Sequence, residues 1–234
     1  MTITVNHVIL IPGLLCTAEL FTPQLKTLHS RASVTVGEHR QHPTLEAIAA
    51  SILQTAPPKF ALAGLSMGGY IAFEVLRQAP DRVTRLALLD TNARADRPDQ
   101  KDGRTALVAS ARAEGLAAVT KRLLPMLIHP RRINDAVLLA TIDKMAADTG
   151  VEAFARQQAA IGSRPDNRPF LAEIRVPTTI IVGAEDALTP VKVHEEMHAA
   201  IAGSALHIVP DCGHLSTLEA PEQVNRLLAV WLDA

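Results

Sequence analysis

Three residues far apart in the chain have the types needed to turn an alcohol into a nucleophile. Ser66 stands in the segment Gly-Leu-Ser-Met-Gly at 64–68, Asp186 follows one short apolar run, and His214 follows the next. A serine hydroxyl is a poor nucleophile near neutral pH, so it needs a base to take its proton and a third group to hold that base in one tautomer. The chain therefore carries candidates for all three roles.

The segment around Ser66 predicts a sharp turn between a strand and a helix. The apolar run at 60–64 is too short for a helix, and after Ser66 the apolar residues recur at helical spacing. Ser66 then lies at the tip of the turn, where a strained backbone lifts its hydroxyl out of the sheet. Gly64 and Gly68 leave room for the strand and the helix to approach closely.

Short apolar runs and amphipathic segments alternate along most of the chain. The runs predict strands at 7–11, 33–36, 60–64, 86–89, 178–183 and 205–209. The segments between them predict helices, among them 18–29, 44–54 and 221–232. This alternation predicts an α/β fold with a mostly parallel central sheet and helices on both faces. Ligands bind outside the carboxyl ends of such strands, so Ser66, Asp186 and His214 should meet at one edge.

Between about 92 and 170 the alternation stops. Helical patterns rich in Ala, Leu and Arg follow one another there, separated by glycines and prolines, and no strand is predicted. We therefore expect a core built from residues 1–93 and 169–234, with an all-helical insertion at 94–168. No repeat or interdomain linker is visible, so a single hydrophobic core is expected.

Composition narrows the possible partners and location. Of the 234 residues 48% are hydrophobic and 20% charged, as in ordinary folded soluble proteins. The formal charge of -1 and the lack of a basic cluster argue against a nucleic-acid partner. No apolar run is long enough to span a bilayer and the first residues do not resemble a signal peptide, so we expect a cytoplasmic protein without a membrane partner. Cys16 and Cys212 lack metal-ligand spacing, and we expect two free thiols and no metal site.

The Gly-x-Ser-x-Gly turn resembles the nucleophile elbow of the α/β-hydrolases, and the order Ser66, Asp186, His214 is that of their catalytic triad. The resemblance covers nearly the whole chain and is strongest to small esterase-like members. It implies an α/β-hydrolase fold in which 94–168 forms a helical lid. It also implies acyl transfer to water through a serine ester, with Ser66 as nucleophile, His214 as base and Asp186 as acid, and with no metal or organic cofactor.

A second carboxylate competes for the role of the acid. Asp90 also ends a strand on the active edge, and some members of the family take their acid from that position. Asp186 is favoured because Gly183-x-x-Asp186 before a helix start is the usual family arrangement. The sequence leaves Asp90 as the alternative.

The oxyanion that forms when serine attacks a carbonyl needs fixed hydrogen-bond donors. By the resemblance, these donors are the backbone N–H groups of Met67 and Leu14. The family usually has His-Gly after the first strand, where this chain has Pro12-Gly13, so Leu15 is an alternative to Leu14 as the second donor. His39, which follows the second strand, could line the mouth of the pocket.

The leading hypothesis for function is a carboxylic ester hydrolase acting on a small, largely apolar molecule. An apolar ceiling over the pocket is predicted from five lid residues, namely Leu123, Leu124, Met126, Leu127 and Ile128. Thioesterase, lactonase and carbon–carbon hydrolase activities use the same machinery. A cofactor-free dioxygenase and a ligand-binding signalling module also occur on this fold. The sequence leaves these alternatives open, together with the acyl and alcohol groups and the oligomeric state.

Overall fold

Apolar runs too short for helices form the strands of one sheet. The computed structural model describes residues 7–233, and this range contains six strands: β1 (His7–Ile11), β2 (Ser33–Val36), β3 (Phe60–Leu65), β4 (Val83–Leu89), β5 (Thr178–Gly183) and β6 (Ala205–Val209). Their order in the sheet is β2-β1-β3-β4-β5-β6, and all neighbours pair in parallel. The predicted parallel α/β architecture is confirmed.

Helices pack on both faces of the sheet and also form a separate group between β4 and β5. The helices are α1 (Thr22–His29), α2 (Leu45–Thr55), α3 (Met67–Gln78), α4 (Pro98–Glu114), α5 (Leu116–Leu127), α6 (Ala136–Thr149), α7 (Val151–Gly162), α8 (Arg168–Leu171), α9 (Val191–Ala200), α10 (Ser216–Glu219) and α11 (Pro221–Asp233). Among the helices of the described range, none combines the length and the apolar character needed to cross a bilayer.

Alternate residues of the central strands pack into two different core layers. On β1, Ile9 and Ile11 join the layer that contains α2 and α3, whereas Val8 and Leu10 join the layer that contains α1 and α11. Side chains of a strand alternate between the two faces of a sheet, so a strand covered on both sides must be apolar throughout. This burial explains why the short apolar runs predicted the strands so well.

The first predicted helix starts later than the sequence pattern indicates. The segment predicted as one helix at 18–29 begins as a 3₁₀ turn over Ala18–Phe21, and α1 starts only at Thr22. The Thr17 side chain accepts the Glu19 N–H and caps the 3₁₀ turn, while Pro23 suits the first turn of α1 because its nitrogen has no hydrogen to donate.

The helical insertion, defined here as α4 to α7, consists of two helix pairs. Gly115 joins α4 to α5 with a φ of 84°, and Gly150 joins α6 to α7 with a φ of 77°. Positive φ values of this size favour glycine. The interior of the insertion includes Phe154 and Val119, which are fully buried and pack with Leu15 from the core. The division into a core of 1–93 and 169–234 and a lid of 94–168 stays a prediction, and residues 1–6 and 234 lie outside the described residues.

Gly68 fixes the distance between the start of α3 and the end of β1. A Cβ atom on this residue would lie 2.0 Å from the carbonyl oxygen of Ile11. Because the obstructing atom belongs to the backbone of a central strand, a larger residue at 68 would push α3 away from the sheet. Gly103, in the middle of α4, has open space around its missing Cβ.

Replacing each of these glycines by alanine separates the two situations. We expect Gly68→Ala to lower the free energy of unfolding by about 3 kcal/mol or more, because the new methyl group overlaps the Ile11 carbonyl. Gly103→Ala should raise it by about 0.5–1 kcal/mol, since alanine is the better helix former. Urea unfolding followed by circular dichroism measures both. Equal midpoints for the two variants would contradict this packing argument.

Candidate active site

Ser66 occupies the junction between β3 and α3 in a strained backbone conformation. Its φ of 56° and ψ of -114° are unfavourable for any residue with a side chain. Neighbouring groups hold it there: the Ser66 N–H donates to the Leu89 carbonyl at 2.9 Å, and the Thr91 hydroxyl donates to the Ser66 carbonyl at 2.8 Å. The Ser66 hydroxyl therefore stands clear of the sheet edge, as the sequence pattern predicts.

The structure brings Ser66, His214 and Asp186 into one hydrogen-bonded chain. The His214 Nε2 atom lies 2.9 Å from the Ser66 Oγ atom, and the His214 Nδ1 atom lies 2.8 Å from the Asp186 Oδ2 atom. A carboxylate can only accept, so Nδ1 carries the ring proton and Nε2 accepts from the serine hydroxyl. Ser66 follows β3, Asp186 follows β5 and His214 follows β6, so all three meet at the carboxyl edge.

The Asp186 carboxylate is held by groups other than the imidazole as well. Its Oδ1 atom accepts the N–H groups of Leu188 and Thr189 at 2.8 and 2.9 Å, and its Oδ2 atom also accepts the Thr189 hydroxyl at 2.7 Å. These bonds fix the carboxylate in the turn before α9. They orient it toward His214 independently of whether the ring carries one proton or two.

Opposite pKa shifts follow from this pairing. Burial of the His214 ring opposes its protonation, but the charge and hydrogen bond of Asp186 outweigh burial and raise the pKa of His214. Burial opposes ionisation of Asp186 as well, yet the interaction with His214 and the hydrogen bonds from Thr189 lower the pKa of that carboxyl. At neutral pH the pair therefore combines a charged acceptor with an imidazole of increased basicity.

Asp90, the alternative acid, makes a different set of contacts. Its Oδ1 atom accepts the Gly183 N–H at 3.0 Å, and its Oδ2 atom bonds to the Ser216 hydroxyl. The side chain is fully buried, and burial together with the nearby charge of Asp186 raises the pKa of Asp90 to about 8. Asp90 thus links the ends of β4 and β5 to α10, while the hydrogen bond to His214 belongs to Asp186.

The predicted oxyanion donors differ in whether their N–H groups are already engaged in hydrogen bonds. Among the hydrogen bonds of the described residues, none uses the N–H of Met67, at the start of α3, or of Leu14, in the loop after β1. The Leu15 N–H, the alternative donor, is already engaged, because it donates to the Gln157 Oε1 atom at 3.2 Å. The geometry therefore favours Leu14 over Leu15.

A buried pair of side chains, His39 and Gln157, braces the loop that carries Leu14. The His39 Nε2 atom donates to the Gly13 carbonyl oxygen at 2.9 Å, and the Gln157 Oε1 atom accepts the Leu15 N–H at 3.2 Å. Burial lowers the pKa of His39 to about 4, so the ring is neutral at neutral pH. The prediction that His39 lines the mouth of the pocket is wrong: it lies beneath the loop and is only 2% exposed.

Sequence reasoning missed Gln157 entirely. This residue lies on α7 and contacts a loop 142 positions earlier in the chain. Glutamine on an amphipathic helix carries no motif that distinguishes it from a surface residue. The one available signal was the unusual Pro12-Gly13 sequence, which indicated that the loop needed support from elsewhere.

A cavity of about 390 Å³ opens in front of Ser66 and His214, between the sheet edge and the insertion. Three of the five predicted ceiling residues line it: Leu123, Met126 and Leu127. The other two, Leu124 and Ile128, pack into the core instead and do not form the ceiling.

The two cysteines are free, as predicted. Cys16 also lines the cavity, and burial raises the pKa of its thiol to about 12, so it is inert at neutral pH. Within residues 7–233, no group of histidine, cysteine or acidic side chains is arranged to hold a metal ion.

Comparison with known proteins agrees with this geometry. The sequence model of the alpha/beta hydrolase fold matches residues 6–221. The chain belongs to the α/β-hydrolase family. The predicted resemblance is thereby confirmed, and the fold of this α/β-hydrolase extends over nearly all of its length.

Solved structures and curated relatives are hydrolases of several kinds. A thermophilic esterase from Thermogutta terrifontis, determined with malate bound, superposes with a TM-score of 0.90 and 29% identity, covering 98% of this chain and 90% of the esterase. The enol-lactonase from Burkholderia xenovorans LB400 gives a TM-score of 0.89 and 26% identity, covering 98% and 92%.

Two curated relatives have different activities. A pimeloyl-[acyl-carrier protein] methyl ester esterase of Aromatoleum aromaticum is 28% identical over 82% of this chain and 81% of its own length. A 2-hydroxy-6-oxononadienedioate/2-hydroxy-6-oxononatrienedioate hydrolase of Klebsiella pneumoniae is 29% identical over 74% of this chain. The match covers only 62% of the length of that second relative.

The brace of His39 and Gln157 gives a test of the loop structure. Gln157→Leu leaves the buried Leu15 N–H without its acceptor, and we expect the free energy of unfolding to fall by about 1–3 kcal/mol. Gln54→Leu, on the exposed side of α2, is the matched control and should change it by less than about 0.5 kcal/mol. Urea unfolding measures both variants. A loss no larger at position 157 than at position 54 would show that the brace is dispensable.

Proposed function

We propose that this α/β-hydrolase cleaves a small, largely apolar carboxylic ester through an acyl-serine intermediate. One observation carries the proposal: a continuous path of hydrogen bonds, 2.9 and 2.8 Å long, leads from Ser66 through His214 to Asp186. The path opens into a cavity with an apolar ceiling, and two unpaired amides flank the hydroxyl. Two of the relatives named above are esterases, which further supports an ester as substrate.

In the first half of the reaction, the Ser66 oxygen attacks the ester carbonyl while its proton moves to the His214 Nε2 atom. The carbonyl becomes a tetrahedral oxyanion, which the N–H groups of Met67 and Leu14 stabilise. One such donor is worth about 3–4 kcal/mol of transition-state stabilisation. As the intermediate collapses, the ester C–O bond breaks and the alcohol takes the proton from His214, leaving Ser66 acylated.

The second half repeats these steps with water. A water molecule gives a proton to His214 and attacks the acyl carbon, and the same amides receive the new oxyanion. The bond to the Ser66 oxygen then breaks, the proton returns to that oxygen, and the carboxylic acid leaves. Asp186 stays ionised throughout and balances the charge of the imidazolium. These steps require no cofactor and no metal.

Replacing the nucleophile tests the covalent route. We expect Ser66→Ala to lower kcat for p-nitrophenyl butyrate by about 10⁴-fold or more, because no acyl-serine can form. Ser30→Ala, on an exposed turn after α1, should retain full activity and full labelling by a fluorophosphonate probe. A Ser66→Ala protein that keeps most of its turnover would instead support a reaction in which the histidine acts alone, as in a cofactor-free dioxygenase.

The substrate class is tested by measuring kcat/KM for a panel of esters, thioesters and lactones of matched size. One structural relative is an enol-lactonase, so lactones belong in the panel. The proposal predicts the highest kcat/KM for an open-chain ester. A ligand-binding module without enzymatic function would turn over no member of the panel.

The pH dependence of kcat/KM tests the role of His214. The ring must be neutral to accept the proton of Ser66, and its pKa is raised, so activity should be lost as the pH falls through a midpoint above about 6.5. Asp186→Asn removes the charge that raises this pKa. We expect the midpoint to move to lower pH and kcat to fall by about 10⁴-fold. An acid limb that keeps its midpoint in the Asp186→Asn variant would be incompatible with this pairing.

A further inference from the structure

A cluster of polar side chains interrupts the apolar lining of the cavity. Arg104 on α4, Gln158 on α7 and Arg164 just beyond α7 all line it, in the same space as Ser66. The proposed reaction uses none of them. Their contacts with one another show a site that is richer in donors than the rest of the cavity.

The two arginines share a single carboxylate. Arg104 pairs with Asp96 through its Nε and Nη2 atoms, and the Arg164 Nη1 atom lies 2.6 Å from the Asp96 Oδ1 atom. The Asp96 side chain is fully buried and that of Arg164 is 4% exposed. Among the ion pairs of residues 7–233, neither arginine has a second acidic partner. The cluster, in which Arg164 and Asp96 are buried and Arg104 is partly exposed, therefore carries one positive charge that no acidic side chain of the described residues neutralises.

Two donors of the cluster are left over. The Arg164 Nε atom donates to the Arg94 carbonyl at 2.8 Å and its Nη1 atom to the Ile161 carbonyl at 3.1 Å, which leaves Nη2 without an acceptor among the described residues. The Gln158 Oε1 atom accepts from Arg104 at 2.8 Å, which directs its Nε2 atom away from Arg104. That Nε2 atom is buried and has no partner in the described range, and Gln158 is only 3% exposed.

The cluster lies within reach of a molecule bound at Ser66. The Arg164 guanidinium stacks 4.5 Å above the ring of Tyr70, which follows Ser66 by one turn of α3. Ser66, Tyr70 and Arg164 line the same cavity of about 390 Å³.

A group that fits this cluster must be an anion that only accepts hydrogen bonds. The donors without an acceptor among the described residues are one guanidinium nitrogen and one amide nitrogen. The cluster also has one positive charge without a negatively charged partner there. A carboxylate matches both, since it has one negative charge and two acceptor oxygens in one plane. A phosphate dianion would leave a negative charge without a partner in a buried site.

We propose that the Arg164 Nη2 and Gln158 Nε2 atoms bind a carboxylate of the substrate, so that the preferred esters are monoesters of short dicarboxylic acids. Arg104 is a positioning residue, because it holds Gln158 and shares Asp96 with Arg164. The inference rests on the proposed ester hydrolysis and adds the substrate class to it. The apolar lining then contacts the chain between the ester and the free carboxylate.

The test compares kcat/KM for charged and neutral esters of equal size. Monomethyl adipate and methyl 6-methylheptanoate form one such pair, and the succinate and glutarate monoesters vary the length. The wild-type protein should prefer the charged member by roughly 10- to 100-fold, the range for hydrogen bonds to charged groups. Arg164→Gln should lower this ratio by roughly tenfold or more, chiefly through KM. Arg168→Gln, an exposed arginine paired with Asp166 outside the cavity, should keep both the ratio and the activity.

A second variant and a binding measurement distinguish loss of the carboxylate subsite from misfolding of the variant. Gln158→Leu should lower the ratio by roughly 3- to 10-fold, and thermal unfolding checks that each variant is folded. Calorimetry of monomethyl adipate with Ser66→Ala should show binding that is lost in Ser66→Ala/Arg164→Gln. Hydrolysis of neutral esters through Ser66 with no preference for the charged member would overturn the subsite and leave the esterase intact. If monomethyl adipate binds in a way that depends on Arg164 but the protein hydrolyses no ester, the carboxylate subsite stands and the proposed esterase activity is overturned.

Discussion

The close contact of the start of α3 with the ends of β1 and β3 is the constraint on which the site depends. Ser66 adopts a backbone conformation that costs about 1–3 kcal/mol, and it persists because its neighbours leave no alternative. A Cβ on Gly64 would lie 2.3 Å from the Gly68 carbonyl oxygen, so only glycine permits this approach. The same turn lifts the serine hydroxyl from the sheet and leaves the Met67 N–H, at a helix N-terminus, without an acceptor among residues 7–233. The accessible hydroxyl and the free N–H therefore both result from the backbone path of one turn.

The two carboxyls at the strand ends behave differently because their partners differ. Asp186 accepts three hydrogen bonds besides the one to His214. Burial opposes its ionisation, but the interaction with His214, together with the bonds from Thr189, lowers the pKa of Asp186. Asp90 is more deeply buried and lies close enough to Asp186 for repulsion, so its pKa rises to about 8 and it remains mostly protonated at neutral pH. The carboxylate that is hydrogen-bonded to the imidazole is therefore the one whose pKa is lowered.

The features of the fold that depend on local sequence pattern were predicted from the sequence. Four strands, 7–11, 33–36, 178–183 and 205–209, have the predicted bounds. Burial on both faces makes β1 and β5 nearly continuous apolar runs, whereas the edge strands β2 and β6 are partly exposed. β4 begins at Val83 and not at 86, since the polar residues Thr84 and Arg85 concealed its first half. Ser66, Asp186 and His214 were found because each follows a strand. Gln157, Gln158 and Arg164 were not, because helical residues are brought to the cavity by tertiary packing that leaves no trace in local spacing.

The insertion is part of the framework of the candidate site and more than a cover for it. The N–H groups of His214 and Leu215 both donate to the Leu127 carbonyl at 3.1 Å, so the end of α5 holds the loop that carries His214. On α7, Gln157 holds the loop with Leu14, while the next residue, Gln158, contacts Arg104. Lifting the whole insertion would break the hydrogen bonds that hold both of these loops. Its helices therefore help to determine the positions of His214 and Leu14 as well as the shape of the cavity, which is why the pattern around Ser66 alone could not specify the substrate.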